Sequence, residues 1–334
     1  MAHTELSATP SSLAAPKPAR RPARAIAILS IVALIAIGCF MLIGASANWA
    51  FILPFRAGKL WALILVGYCV AVSTVLFQTV TANRILTPSI MGFDALYILI
   101  QTIIVFFFSS QALSGADPRL QFLLEVATMA AFAGVLFQWL FMSGNRSLHL
   151  LVLVGIVCGV FFRSLAGLMQ RMLDPNEFLV LQDTFFASFN STDRTLLGVS
   201  TVIVIAASLV GLKMMPYFDV LTLGRPAAVS LGVPYKATVA TILVIVAVLV
   251  SVSTALVGPI TFFGLLVVSL AHAIAGESKH RYILPISILL GVICLVGGQT
   301  ILERLFAFNT ALSIIIEFVG GIVFIFLVLR GSMR

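Results

Sequence analysis

Four charged side chains lie inside long apolar stretches of this sequence: Asp94, Glu125, Arg163 and Glu317. A charge at membrane depth needs a water-filled path or a partner. Acids there can relay protons, an acid and a base can form a structural ion pair, and polar groups can line the path of a large solute. Asp94 and Glu125 lie near the ends of their stretches, whereas Arg163 and Glu317 lie deeper. The sequence leaves these three roles open.

No other group of residues has the spacing of a catalytic or metal site. The phosphate-binding pattern G-x-x-x-x-G-K-[ST] is absent, because Leu53 stands where Gly58-Lys59 would require the first glycine. The four histidines form no H-E-x-x-H motif, and the four cysteines form no C-x-x-C pair. We therefore expect no catalytic residue, no metal and no cofactor bound by this chain.

The composition is that of a membrane protein. The chain is 61% hydrophobic and 10% charged, whereas soluble domains carry about 25% charged residues. Apolar runs of roughly 20 residues cross a bilayer as helices. About ten such runs predict an all-α integral membrane protein; they lie near 25–46, 60–81, 92–112, 121–142, 148–170, 196–215, 237–257, 260–276, 283–301 and 310–330.

Basic residues set the expected orientation. The net charge of +8 is better explained by Lys and Arg collecting in cytoplasmic loops than by nucleic-acid binding. Residues 1–24 are rich in Ala, Pro and Ser and carry four basic residues, so we predict a disordered cytoplasmic tail. An even number of spans returns the C-terminus to the same side. Residues 25–334 then form one transmembrane domain.

One short segment on the predicted cytoplasmic side interrupts the apolar pattern. Residues 219–234 read DVLTLGRPAAVSLGVP, with Leu and Ala at helical spacings, Pro226 suited to a first helical position and Gly232 suited to the end. Such a helix either lies on the bilayer or inserts into a groove of another protein. The loop as a whole covers about 216–236.

The stretch LTLGRPAAVSLGVP resembles the loop that FecCD-type permeases press into their ATPases. These permeases are the membrane subunits of iron-siderophore and vitamin B12 ABC importers. LVGPITFFGLLVVSLAHAIAGESKHRYILP is similar to the same family, as is LWALILVGYCVAVSTVLFQTVTANRILTPSIMGFDAL. Two more stretches, MQRMLDPNEFLVLQDTFFASFN and GGQTILERLFAFNTALSIIIEFVGGIVFIFLVLR, resemble permeases for catecholate-type and related ferric siderophores. Ser269 and Gln299 depart from the family pattern and weaken a substrate assignment borrowed from B12 importers.

The resemblance implies site residues. The ATPase-coupling loop would use eight positions: Leu221, Leu223, Gly224, Arg225, Ala227, Ala228, Leu231 and Gly232. A substrate-binding protein would dock on Arg56, Lys59 and Arg304, which the predicted topology places in outside loops. The inner gate would include Gly144, Asn145 and Ser147.

The resemblance also implies the partners and the function. The chain would be the permease subunit of an importer for a ferric siderophore in the bacterial inner membrane. ATP and Mg would be bound by separate ATPase subunits, and a second permease subunit and a binding protein would complete the complex. A proton-coupled secondary transporter using Glu317 or Asp94 is the alternative. Neither the siderophore nor the choice between homodimer and heterodimer follows from the sequence.

Overall fold

The computed structural model describes residues 20–43, 49–115, 117–142, 148–190, 193–276, 279–304 and 311–329. In these ranges the regular structure is helical, with one short 3-10 helix at Pro88–Met91. The α-helices are α1 Arg20–Leu42, α2 Trp49–Thr81, α3 Phe93–Gly115, α4 Pro118–Met142, α5 Leu148–Gln170, α6 Pro175–Asp183, α7 Arg194–Leu221, α8 Arg225–Ser230, α9 Tyr235–Val257, α10 Phe263–Ala275, α11 His280–Arg304 and α12 Leu312–Leu329.

The expected all-α membrane architecture is confirmed. The ten longer helices coincide with the ten predicted spans, while α6 lies between the fifth and sixth of them and α8 in the interrupting segment. In the described part of the chain, seven helices are long and apolar enough to span a membrane, and parts of α3, α10 and α12 are shorter apolar helices. Helix α1 begins at Arg20, inside the predicted tail 1–24, and residues 1–19 lie outside the described residues, so the tail stays a prediction.

Two helices extend beyond their predicted limits, and both contain a proline. Helix α2 begins at Trp49 rather than near residue 60 and includes Pro54; α7 continues past residue 215 to Leu221 and includes Pro216. Proline normally disfavours a helix interior. In a membrane bundle, helix remains the favourable state because free backbone groups have no water to bind. The prediction from the apolar pattern alone therefore began α2 too late and ended α7 too early.

Two breaks in the helical order bring distant segments into the middle of the bundle. Helix α10 has 13 residues, a length of about 20 Å at the helical rise, which is less than the bilayer core. A non-helical stretch, 258–262, precedes it, and the 3-10 helix precedes α3. Both breaks use left-handed glycines, Gly92 at φ 92° and Gly258 at φ 96°. These breaks bring Thr261 into hydrogen-bonding contact with Asp94 of α3.

The core of the bundle forms around α2, α9 and α11. Helix α2 packs along both α9 and α11, α1 covers the other side of α11, and α5 packs against α3. Gly155 and Gly159 are where α5 makes its closest approach to the segment before α3. A Cβ at Gly155 would lie 3.0 Å from Met91 Cβ, and one at Gly159 would lie 3.0 Å from Gly92 Cα. Small residues allow this approach.

The tightest contact between α2 and α11 is a crossing of two glycines. A Cβ at Gly291 would lie 2.9 Å from the Gly67 carbonyl oxygen, and one at Gly67 would lie 3.2 Å from the Gly291 carbonyl carbon. Neither atom is the end of a flexible side chain, so any added methyl group must separate the two helices. The crossing fixes how closely the central helices approach.

We expect Gly291→Ala to destabilise the protein by about 1–3 kcal/mol, the usual cost of overpacking. The matched control is Gly297→Ala on the same helix, where an added Cβ meets nothing within 4 Å. That substitution should be neutral or slightly stabilising, because alanine favours helix. Thermal unfolding of both variants in lipid nanodiscs measures the difference. Equal melting temperatures for Gly291→Ala and the unaltered protein would contradict the crossing.

Candidate ATPase-coupling and docking surfaces

The segment 219–234 folds as a short helix held between two glycine turns. Gly224, at φ 87°, precedes α8, Pro226 occupies its first turn, and Gly232, at φ 81°, follows it. The turn closes through hydrogen bonds from Gly232 N to Val229 O at 3.0 Å and from Val233 N to Ala228 O at 3.0 Å. Glycine tolerates these positive φ values without strain. The predicted short helix is therefore present.

The eight residues assigned to the coupling loop divide into two faces. Leu221 and Ala228 are buried against the bundle, and Gly224 and Ala227 are half-buried. Leu223, Arg225, Leu231 and Gly232 are exposed. Val229, which the sequence analysis did not include, is also exposed. Leu223 and Leu231 are 62% and 63% exposed, so this end of the bundle presents apolar side chains on its surface.

At the opposite end, the predicted docking residues lie on helices rather than in loops. Arg56 and Lys59 are inside α2, and Arg304 is the last residue of α11. The loop placement was wrong because α2 begins earlier than its apolar run. Arg56 is buried, and its Nη1 donates to the carbonyls of Phe40 at 3.1 Å, Met41 at 2.8 Å and Ile43 at 3.0 Å. It therefore satisfies the carbonyls at the C-terminal end of α1.

Lys59 forms a buried ion pair that the sequence analysis missed. Its Nζ lies 2.8 Å from Glu303 Oε1, and the two side chains are 7% and 10% exposed. Gln299 Nε2 donates to the same carboxylate oxygen at 2.9 Å. Gln299 was noted as a departure from an acid in the family pattern, and the structure shows an acid one turn further along α11. Arg304 is exposed, and its Nη2 donates to the Ile43 carbonyl.

The three predicted gate residues, Gly144, Asn145 and Ser147, lie outside the described residues. The flanking helices end at Met142 and begin at Leu148. Their assignment to a gate stays a prediction.

The four intramembrane charges fall into two groups in the described chain, because Asp94 lies within electrostatic range of Arg163 and Glu317 whereas Glu125 has its own partners. Asp94 is buried and its Oδ2 accepts from Thr261 Oγ1 at 2.9 Å. Glu125 is buried and its Oε1 accepts from Gln101 Nε2 at 2.6 Å and Gln121 Nε2 at 3.0 Å. Arg163 and Glu317 are exposed on the surface of the single chain.

Two open cavities lie on the surface of the bundle. One, of about 790 Å³, is lined on its polar side by Asp183, Thr184, Ser188, Asn190 and Gln299, next to the ion pair. The other, of about 530 Å³, follows α5 and includes Arg163, Ser164 and Arg171. Among the residues that the structure describes, no group of three or more His, Cys, Asp or Glu could hold a metal ion.

These features match a known family. The FecCD transport family matches residues 24–330. The chain belongs to this family of membrane permeases. It is 46% identical over 92% of its length to the petrobactin import system permease protein YclO of Bacillus subtilis (strain 168), 97% of which is covered. It is 38% identical over 80% of its length to the petrobactin import system permease protein FatC of Bacillus anthracis, 76% of which is covered.

A solved structure supports the fold. A metal-chelate type ABC transporter in an inward-facing conformation superimposes with a TM-score of 0.81 at 21% identity, covering 92% of this chain and 99% of that chain. At this identity the similarity concerns the fold alone. The permease family and its architecture were therefore identified correctly from the loop and turn motifs. The proton-coupled alternative has no support in these similarities.

Proposed function

We propose that this chain is the permease subunit of an ATP-binding cassette importer that takes up a ferric siderophore. The observation that carries the proposal is the short helix α8 with the glycine turns on either side of it. Val229 is exposed on the helix, and Leu223 and Leu231 are exposed in the flanking turns. Exposed apolar side chains on a rigid helix suit insertion into a groove of a protein partner. That partner would be a separate ATPase subunit, which binds ATP and Mg, so the chain itself would not be an enzyme.

The substrate proposal rests on the similar proteins and on the exposed face of α5. Two relatives are petrobactin import permeases, so ferric petrobactin is the first substrate to test. Iron chelates with six anionic oxygen donors carry negative charge, because the donors outnumber the three charges of the ferric ion. Arg163 of α5 and Arg171, the first residue after α5, lie eight residues apart in sequence and line one open cavity. A charge at this depth suits a water-filled solute path.

An exposed arginine within a span also favours a second permease copy. Paired with itself or a similar subunit, the chain would enclose the α5 cavity and shield Arg163 from lipid. The complete complex would contain two permease subunits, two ATPase subunits and a substrate-binding protein on the outer side. It would lie in the bacterial inner membrane in contact with lipid, with no role for nucleic acid.

Docking of the binding protein is best tested at Arg304, because Arg56 and Lys59 also serve the fold. We expect Arg304→Glu to weaken binding-protein affinity about tenfold at low salt and less at high salt, since an interfacial charge pair is screened. The measurement is titration of the binding protein onto the purified complex in nanodiscs. Arg119→Glu is the control, because Arg119 is exposed at the same end on α4. Equal affinities for both variants would remove Arg304 from the docking surface.

The transport proposal is tested by uptake of ferric petrobactin into proteoliposomes containing the purified complex. With the binding protein outside and ATP inside, we expect accumulation that continues after a protonophore collapses the proton gradient. Accumulation that needs the gradient and not ATP would contradict an ATP-driven importer.

A further inference from the structure

The end of α7 carries a carboxylate that reaches another helix just before the chain turns into α8. Asp219 Oδ1 accepts a hydrogen bond from His280 N at 2.8 Å and lies 2.7 Å from His280 Nδ1. His280 is the first residue of α11. Asp219 thus caps α11 from outside that helix, as a side-chain acceptor does at a helix start. Its side chain is 46% exposed, whereas that of His280 is 2% exposed.

The other ring nitrogen of His280 reaches a third helix. His280 Nε2 lies 2.7 Å from Thr79 Oγ1 of α2, and Thr79 Oγ1 lies 2.8 Å from the Val75 carbonyl of its own helix. A neutral imidazole with its hydrogen on Nδ1 donates to the Asp219 carboxylate, and its Nε2 accepts the single hydrogen of the Thr79 hydroxyl, which in that tautomer is turned away from the Val75 carbonyl. Phe218 packs edge-on against the imidazole with ring centroids 5.6 Å apart. The imidazole therefore bridges α7 and α2 from its place at the start of α11.

Asp219, His280 and Thr79 lie between α8 and the core helices α2 and α11, where they could transmit a movement of α8. Asp219 is six residues before the start of α8, and Leu221, between them, is buried. Thr79 and His280 lie on α2 and α11, which pack along each other in the core. A cavity of about 300 Å³ beside them is lined by Gln78, Arg84, Thr222 and His272 as well as by Thr79 and His280. The cavity leaves room for the α8 end to shift while the hydrogen bonds hold.

We propose that Asp219, His280 and Thr79 form a joint that transmits movement of α8 to α2 and α11. This inference rests on the proposed function, since α8 moves only when an ATPase binds it. The joint acts through positioning: it holds the end of α7 to the two core helices, so that a displacement of α8 rotates them together. Without it, α8 follows the ATPase while the core helices stay in place, and ATP is hydrolysed without transport.

The test is Thr79→Val, which keeps the shape of the side chain and removes the hydroxyl. In the purified complex with binding protein, we expect ATP hydrolysis to persist and ferric petrobactin uptake per ATP to fall about tenfold. Loss of one buried hydrogen bond produces a change of this order. Thr79→Ser should restore the ratio. Thr241→Val is the matched control, since Thr241 Oγ1 donates to Ala237 O within α9, and its ratio should be unchanged.

Two variants of His280 separate a joint from a general packing role. His280→Asn keeps an amide donor near the position of Nδ1 and loses the reach to Thr79. His280→Gln keeps the reach to Thr79 and loses the donor to Asp219. Both should uncouple hydrolysis from uptake while retaining the ATPase, because each breaks one half of the connection. Wild-type uptake per ATP in Thr79→Val or in either His280 variant would overturn the joint.

Measuring ATP hydrolysis and uptake in the same purified complex distinguishes a failure of the proposed joint from a failure of the proposed function. A purified wild-type complex without an ATPase, or without ATP-driven uptake, would overturn the proposed function. A wild-type complex that transports normally alongside a fully coupled Thr79→Val variant would overturn the joint alone. A fall in uptake per ATP that Thr79→Ser fails to reverse would also count against it, since the hydroxyl would then not be the group responsible.

Discussion

A complex carrying Leu223→Asp together with Leu231→Asp is expected to lose its ATPase during purification. Both leucines are more than 60% exposed on the described chain, at 62% and 63%, so aspartate there leaves the fold intact. Burying a leucine side chain contributes roughly 1.5–3 kcal/mol, and two aspartates would place charges in an apolar groove. We therefore expect more than a hundredfold weaker association, measured as the ATPase-to-permease ratio on an affinity column.

The control uses the same position and a similar volume. Leu231→Met keeps an apolar side chain that adapts its shape, and the ATPase should remain stoichiometric. Aspartate at Ala227 is a poorer choice, because Ala227 is half-buried and the change would disturb α8 itself. Full retention of the ATPase by the double aspartate variant would show that α8 is not the contact surface.

Replacing Glu303 by leucine is expected to destabilise the bundle by about 3–5 kcal/mol, the cost of leaving one member of a buried ion pair without its counter-charge. Lys59 Nζ lies 2.8 Å from Glu303 Oε1, and both side chains are at most 10% exposed. Gln299 would also lose the acceptor that it contacts at 2.9 Å. The measurement is thermal unfolding in nanodiscs, with binding-protein affinity recorded in parallel.

The double variant Lys59→Met with Glu303→Leu removes both charges and serves as the comparison. A buried ion pair replaced by apolar side chains of similar volume is often neutral, so most of the stability should return. The losses of stability in the two single variants then do not add up in the double variant, and this double-mutant cycle measures the interaction between Lys59 and Glu303 directly. Additive losses in the double variant would show that the two charges do not interact in the membrane-embedded protein.

The sequence predicted the helical architecture well because the membrane imposes one pattern on each span. A bilayer requires long apolar helices, so ten apolar runs were enough to place ten helices. The limits of α2 and α7 were missed, since charged Arg56 and Lys59 and the proline at 216 interrupt the apolar pattern without interrupting the helix. Helix α6 was missed because its nine residues are too few to span a membrane and mix polar with apolar side chains, although Asp174 and Pro175 are a typical helix start.

The short helix in the segment 219–234 could be predicted because its signals are neighbours in the sequence. The side-chain contacts between distant helices could not be predicted in this way. Gly224, Pro226 and Gly232 are close in sequence, and their effects on the backbone are known: glycine permits a positive φ, and proline fixes φ at a value that suits the first helical turn. Lys59 and Glu303 are 244 residues apart, and Thr79 and His280 are 201 apart. Nothing in local spacing links such pairs. The one available signal for Asp219 was a charged residue at the end of an apolar run.

The most direct test of the account is to tag this chain, extract it from native membranes in mild detergent and identify what co-purifies. The account predicts a stoichiometric ATPase together with a second permease subunit, either a second copy of this chain or a similar one. It also predicts that adding ferric petrobactin and its binding protein stimulates ATP hydrolysis by the purified complex. Recovery of the chain without any ATPase, across several mild detergents, would contradict the assignment of α8 as an ATPase-coupling helix.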